Sequence, residues 1–289
     1  MQKSAVIIEV AVNGGTKKDK NLNSPISPEE IAADALECID AGASIIHQHD
    51  ASGDGKQCAI LGLQTYKIIL GEQPDAICYP TIAFAGNTVE DAWNHNRALA
   101  EAGVLRMAFL DPGSLNLGRL ENSGAPDAGE FVYANSNKNI RWIMEQCAQL
   151  KLAPSMAIFD ASFLRNAVAY EKSGQLAQGA FAKLYFCDDH GPLSFGLWPT
   201  ETALNAYLEM MSDSKIPWAS AVLSGDLVDS GMAELTVKKG GHLRVGLEDF
   251  GGRASPCNRE LVENAADLVK SLGYTVATPA QTADILNLP

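Results

Sequence analysis

The sequence has no Cys-x-x-Cys pair, although it holds six cysteines, at Cys38, Cys58, Cys78, Cys147, Cys187 and Cys257. Their wide separation excludes zinc-finger spacing, and a disulfide scaffold is not expected in a chain of 289 residues. Six free thiols in a reducing cytoplasm are expected. No apolar run approaches the roughly 18–20 residues that a membrane span requires. Met1-Gln2-Lys3-Ser4 leads straight into a strand pattern, without the apolar core of a signal peptide. Positive charge is scarce: 22 Lys and Arg stand against 35 Asp and Glu, a net charge of −13. A surface this acidic repels phosphate backbones and anionic lipid, so neither nucleic acid nor membrane is expected as a partner. No Gly-x-Gly-x-x-Gly follows the first strand pattern, which counts against a dinucleotide-binding sheet.

What is present is one repeated alternation. The β-branched run at 5–12 reads as a strand, and a polar loop follows it. Ser27-Pro28-Glu29-Glu30 then has the marks of a helix start, with Ser as cap, Pro in the first turn and acids behind it. Further strands are expected at 44–49, 76–80, 105–110, 153–159, 181–187, 218–223 and 243–247. Helices are expected between them near 61–70 and at 88–101, 135–150, 163–172, 200–211, 229–239 and 259–272. Strands alternating with helices imply a parallel sheet. Eight units in this length predict an α/β fold, a closed (β/α)8 TIM barrel forming one domain over 1–289; the rival is an open doubly wound sheet. The longest irregular stretch, 113–134, follows the fourth strand. Loops there build the catalytic face of a barrel.

His47 and His49 end the second strand two residues apart. Side chains alternate along a strand, so both point to the same face, about 6.6 Å apart along the chain. Two imidazoles so placed can share a metal ion, although backbone carbonyls could satisfy them equally. In Gly240-Gly241-His242-Leu243-Arg244-Val245-Gly246-Leu247-Glu248-Asp249, the residues Arg244, Gly246 and Glu248 share one face of the last strand. Glu248 reaches the same rim as the histidines. Two His and one carboxylate leave a metal with open positions for substrate. Asp249 stands beside that site with Arg244 below it, either as a functional pair or as a structural one. Gly246 is expected to clear space for the long Arg side chain or for a ligand. His95 is placed on the solvent face of its helix, His242 at the far rim in a structural role, and His190 on the catalytic face. Thr81, Asp111, Ser114 and Asn116 supply hydroxyl, carboxyl and amide groups at that rim. Turn formation explains them as well as substrate binding does.

These segments resemble the β-keto acid cleavage enzymes nearly end to end. The likeness rests on Asn13-Gly14-Gly15, on Ile26-Ser27-Pro28-Glu29-Glu30-Ile31-Ala32 and on Ala41-Gly42-Ala43-Ser44-Ile45-Ile46-His47-Gln48-His49. It also rests on Asp54-Gly55, Gly113-Ser114-Leu115-Asn116, the 240–249 segment, Asn264 and Ala277-Thr278-Pro279. The resemblance implies a zinc ion, Zn2+, held by His47, His49 and Glu248, with Asp249 as base oriented by Arg244. It implies substrate contacts from Asn13, Thr81, Asp111, Ser114 and His190. It also implies a homo-oligomer, often a homotetramer. The implied reaction exchanges a β-keto acid and acetyl-CoA for acetoacetate and a new acyl-CoA.

The chain departs from that pattern in several places. Ala157 stands where an acid usually joins the Arg–Asp pair, and Asp160 is the candidate to replace it. Thr16 stands where members acting on amino substrates carry Glu, which argues against an ammonium-bearing substrate. Thr81, Phe84, Phe109, Asp111-Pro112 and Asp188-Asp189-His190-Gly191 replace Ser, Gly, Thr, Asn-Ala and a Gly-rich loop. A reshaped pocket is expected. A metal-dependent hydrolase or lyase without CoA, or a non-catalytic ligand-binding barrel, stands as the alternative.

Overall fold

Strand residues here are buried on both faces, the signature of a sheet covered by helices outside and filled within. The computed structural model describes residues 5–191, 193–252 and 254–289; Met1 to Ser4, the notable part of the amino-terminal reading, lie outside them. Eight strands form one parallel sheet: β1 (Ile8–Ala11), β2 (Ile45–Gln48), β3 (Ile77–Pro80), β4 (Met107–Phe109), β6 (Ala153–Ile158), β7 (Phe181–Cys187), β9 (Trp218–Leu223) and β10 (His242–Val245). Their order is β3-β2-β1-β10-β9-β7-β6-β4, and β3 lies beside β4. The sheet thus curls into a nearly closed barrel, as the alternation predicts. Two short strands, β5 (Gly118–Arg119) and β8 (Leu193–Ser194), pair antiparallel between the loops that follow β4 and β7.

The helices are α1 (Pro28–Ala41), α2 (Gly55–Glu72), α3 (Val89–Glu101), α4 (Asn137–Leu150), α5 (Ala161–Lys172), α6 (Glu201–Met210), α7 (Met232–Lys238), α8 (Asn258–Ser271) and α9 (Pro279–Leu286). The Ser27 start holds as read: its hydroxyl accepts from the Glu30 amide, and Glu30 reaches back to the Ser27 amide. α1 buries Ile31, Ala32, Ala35 and Cys38. The sequence reading stops at the eighth helix, yet Thr278-Pro279 followed by Gln281 is a further capping box and opens α9. All six cysteines are free. Among the described residues no helix is long and apolar enough to cross a membrane.

Two expectations about single residues fail. His95 is buried rather than solvent-facing: its Nε2 lies 2.7 Å from the Thr81 carbonyl and its ring stacks on Phe109. The Thr81 carbonyl meets one ring nitrogen, and α3 buries the ring beside Trp93 and Leu99. Gly246 clears no space for Arg244. At φ +132°, a Cβ there would lie 2.2 Å from the Ala11 carbonyl oxygen, so the glycine is required by the close approach of β1. His242 does hold its structural place. Its Nδ1 accepts from the Ile7 amide at 3.1 Å, and burial lowers its pKa to about 4.

Candidate active site

The carboxyl ends of the barrel strands open into a cavity of about 780 Å³. His47 and His49 enter it from β2, while Gln48 and Asp50 turn away and hydrogen-bond to each other at 3.0 Å. Glu248 arrives from the turn after β10. Its Oε2 lies 3.3 Å from His47 Nε2 and its Oε1 3.3 Å from His49 Nε2. One ligand atom from each of the three residues falls within a 4.8 Å group. Metal–ligand bonds of about 2.1 Å at tetrahedral angles place ligand atoms about 3.4 Å apart. Glu248 Oε2 is buried and makes no hydrogen bond, though it is ion-paired with Arg244. Two imidazole nitrogens and a carboxylate converging at such distances fit a cation, so the residues present suit a metal.

Backbone clamps hold these side chains in place. Asn13 grips His49 on both sides, accepting from its amide at 2.8 Å and donating to its carbonyl at 2.9 Å. Leu247, just before Glu248, is held likewise: Asn258 accepts from its amide at 2.9 Å and Thr16 donates to its carbonyl at 2.9 Å. Gly14 passes so close that a Cβ would stand 2.2 Å from Glu248 Cγ. Two loops from opposite ends of the chain thereby fix the spacing of the triad.

Arg244 is fully buried and forks onto Asp249, with Nε 2.8 Å from Oδ2 and Nη2 3.3 Å from Oδ1. Nη2 also lies 3.2 Å from Glu248. Burial pushes Asp249 up to about 6, with Glu248 adding to the rise and Arg244 opposing it. Burial acts to raise Glu248 too, but His49, Arg244 and His47 outweigh it and hold the carboxyl well below its ordinary range. Two neighbouring carboxylates are thus driven apart: Glu248 stays ionised, and Asp249 is the more basic of the two.

Below them lies an ionic floor that the sequence reading missed. Glu9 on β1 is fully buried, and its Oε1 accepts from Arg244 Nη1 at 2.6 Å and from the Tyr79 hydroxyl at 2.7 Å. Lys183 on β7 stands 3.7 Å from the same oxygen and donates to the Tyr79 and Ser155 hydroxyls. The available signal was a lone charge inside an apolar strand, Glu9 after Ile7-Ile8 and Lys183 after Phe181-Ala182. Such charges are rarely buried without a partner.

The remaining candidates divide. Thr81, Asp111 and His190 line the cavity. Asp111 accepts from the Tyr133 hydroxyl at 2.5 Å and from the Ala157 amide at 3.1 Å. His190 is exposed at the rim, 3.4 Å from Asp188. Asn13 has both amide hydrogens and its oxygen committed to Pro25, His49 and Gly14, so it positions the His49 backbone and has no group left to offer a substrate. Ser114 is turned to Asn135 and lies outside the cavity wall. Asp160 does not replace the acid at Ala157. It caps α5 through the amides of Ser162 and Phe163, where a short side chain at a helix start satisfies otherwise unpaired donors. The buried acid that touches Arg244 from below is Glu9.

A family model described as β-keto acid cleavage enzyme matches residues 5–288. The chain belongs to that family. It is 30% identical to a 3-keto-5-aminohexanoate cleavage enzyme of Fusobacterium nucleatum subsp. nucleatum, over 98% of each chain. It is 25% identical to a 3-dehydrocarnitine:acetyl-CoA trimethylamine transferase of Rhizobium meliloti, over 98% of this chain and 96% of that one. Among solved structures, apo ObcA superposes with a TM-score of 0.66 at 15% identity. That match covers 92% of this chain and 66% of ObcA, so the present chain spans about two thirds of the longer one. At that identity the likeness speaks for the barrel alone. This member of the β-keto acid cleavage family is an enzyme, and its cavity holds the one His–His–Glu group found among the described residues.

Proposed function

We propose that the chain, acting as one barrel domain over 1–289, condenses a β-keto acid with acetyl-CoA and releases acetoacetate and a new acyl-CoA, with zinc held by His47, His49 and Glu248. The observation that carries the reading is the convergence of those three side chains on one point, beside an Asp249 that Arg244 holds by two hydrogen bonds. A zinc ion there supplies Lewis acidity at a ketone oxygen, worth several kcal/mol to a developing enolate charge. Asp249, raised to about 6, suits the removal of the C2 proton of the β-keto acid. Arg244 aims the carboxylate and balances its charge. The C2 carbon then attacks the thioester carbonyl and displaces CoA thiolate. The thiolate adds to the original keto carbon, and the bond from that carbon to C2 breaks. Proton return to C2 leaves acetoacetate, and the old acyl group departs on CoA. Thr81 and the groups around it supply polar contacts for the substrate carboxylate.

The names of the relatives support acetyl-CoA as co-substrate. Six unpaired cysteines support a reducing cytoplasm, and a homotetramer is what the resemblance to the family implies. The test combines metal analysis of protein purified without chelator with a coupled assay for acyl-CoA. About one zinc per chain is expected, with acyl-CoA formed only when both a β-keto acid and acetyl-CoA are present. Glu248→Gln is expected to lose metal and turnover together. Turnover without acetyl-CoA would make it a hydrolase or lyase, and a metal-free wild type would leave a binding barrel.

A further inference from the structure

A second apolar cluster stands apart from the main core at the catalytic end of the barrel. Ala157, Tyr185, Ala221 and Leu223 form it, with Phe159, Leu193 and Phe195 packed against them. Its members come from the ends of β6, β7 and β9 and from β8. Ala157, Phe159, Tyr185, Leu193 and Leu223 face the cavity. The cluster begins at the chemistry itself, since the Tyr185 ring centre lies 5.5 Å from Arg244 Cζ, the guanidinium that holds Asp249. Phe159 packs at 4.8 Å from Tyr185 and edge-on at 5.3 Å from Phe195, which extends the apolar wall outward.

The charged groups packed closest to this wall are matched, while Lys20 and Arg119, the latter paired with Leu193 across β5 and β8, line the cavity from exposed positions. Both oxygens of Asp111 are taken, by the Tyr133 hydroxyl and the Ala157 amide. Lys183 is turned to Tyr79, Ser155 and Glu9 in the floor. His190 stands in solvent beside Asp188. A carboxylate or ammonium lodged against the carbons of the wall itself would lose water and meet no counter-ion from within it, whereas an apolar group there would lose nothing. We propose that the site selects β-keto acids whose substituent beyond the keto carbon is uncharged and apolar, an alkyl chain or an aryl ring, lodged against Ala157, Phe159, Tyr185 and Leu223. The proposal rests on the reaction assigned above and names its substrate class.

The test is a kcat/KM profile with saturating acetyl-CoA over 3-oxohexanoate, 3-oxooctanoate and 3-oxo-3-phenylpropanoate, against 3-oxoadipate and 5-amino-3-oxohexanoate. Each buried methylene is worth about fourfold, so the two added on going from six to eight carbons give about fifteenfold. The apolar acids are expected to exceed both charged ones by at least tenfold. Leu223→Lys is expected to narrow that gap at least tenfold by favouring 3-oxoadipate; the wild-type profile decides the matter if this variant does not fold. A wild-type preference for either charged acid overturns the proposal. So does a flat profile with Leu223→Lys raising only the KM for acetyl-CoA, which would give the wall to the thioester arm. Absence of acyl-CoA with every acid defeats the assigned reaction instead. In that event calorimetric binding of the same five acids still ranks the substituents, and equal or tighter binding of the charged ones overturns the proposal.

Discussion

Glu9→Gln is the perturbation for which the structure predicts the largest effect with the least change of shape. The carboxylate is fully buried between two cations, 2.6 Å from Arg244 Nη1 and 3.7 Å from Lys183 Nζ. The amide keeps the volume and one acceptor oxygen but removes the charge. A unit pair near 4 Å is worth about 4 kcal/mol at an effective dielectric of 20. Measured losses on breaking one side of a buried pair run to about 3–5 kcal/mol. Unfolding free energy is therefore expected to fall by about 3–5 kcal/mol, a large share of the 5–15 kcal/mol typical of a domain. The partner substitution checks the cause. Lys183→Met removes the excess cation, so Glu9→Gln with Lys183→Met is expected to recover at least half of the loss. What stays lost is about 1 kcal/mol from the Tyr79 and Ser155 hydroxyls left short of a donor. Urea denaturation followed by circular dichroism at fixed zinc concentration measures all four proteins and yields the coupling energy. A loss below about 1 kcal/mol for Glu9→Gln, or strictly additive losses in the double variant, would show that the floor is not held by charge.

Gly246→Ala places a methyl against the Ala11 carbonyl at a φ of +132°, so thermal denaturation should show a loss of at least about 3 kcal/mol or no folded protein. Asn13→Ala frees the His49 backbone, and zinc affinity measured by chelator competition should fall about 10- to 100-fold with little change in helix content. His242 is held neutral, with its pKa lowered by burial from 6.5 to about 4. The unfolded chain therefore takes up the proton first, and this stabilisation is full above about pH 6.5 and is lost as pH falls toward 4. His242→Asn keeps an acceptor for the Ile7 amide without the titration, so the stability gap between wild type and variant should shrink by about 3 kcal/mol from pH 7.5 to 4. A gap independent of pH would refute that assignment.

The residues that misled the sequence reading share a cause. Asn13, Ser114 and Asp160 are short polar side chains at the mouths of loops, where substrate binding, turn formation and helix capping all favour the same residue types. Only the partner distinguishes them, and for Asp160 the partners are the amides of Ser162 and Phe163. His95 carries a polar label that outweighed its position, because the Thr81 carbonyl that meets its Nε2 comes from a different element.

The sequence by itself determined the barrel, since eight apolar runs alternating with amphipathic helices have few other ways to bury both faces of a parallel sheet. It also determined that His47 and His49 share a face, because the period of a strand is a local property. Strand ends also put Glu248 at the rim of the histidines, but the tertiary structure alone decided that its oxygens come 3.3 Å from both rings, that Glu9 and Lys183 flank Arg244 from β1 and β7, and that an apolar wall borders the site. Those facts depend on closure and register, which bring distant strands to within a hydrogen bond, and no spacing along the chain encodes a distance across the barrel.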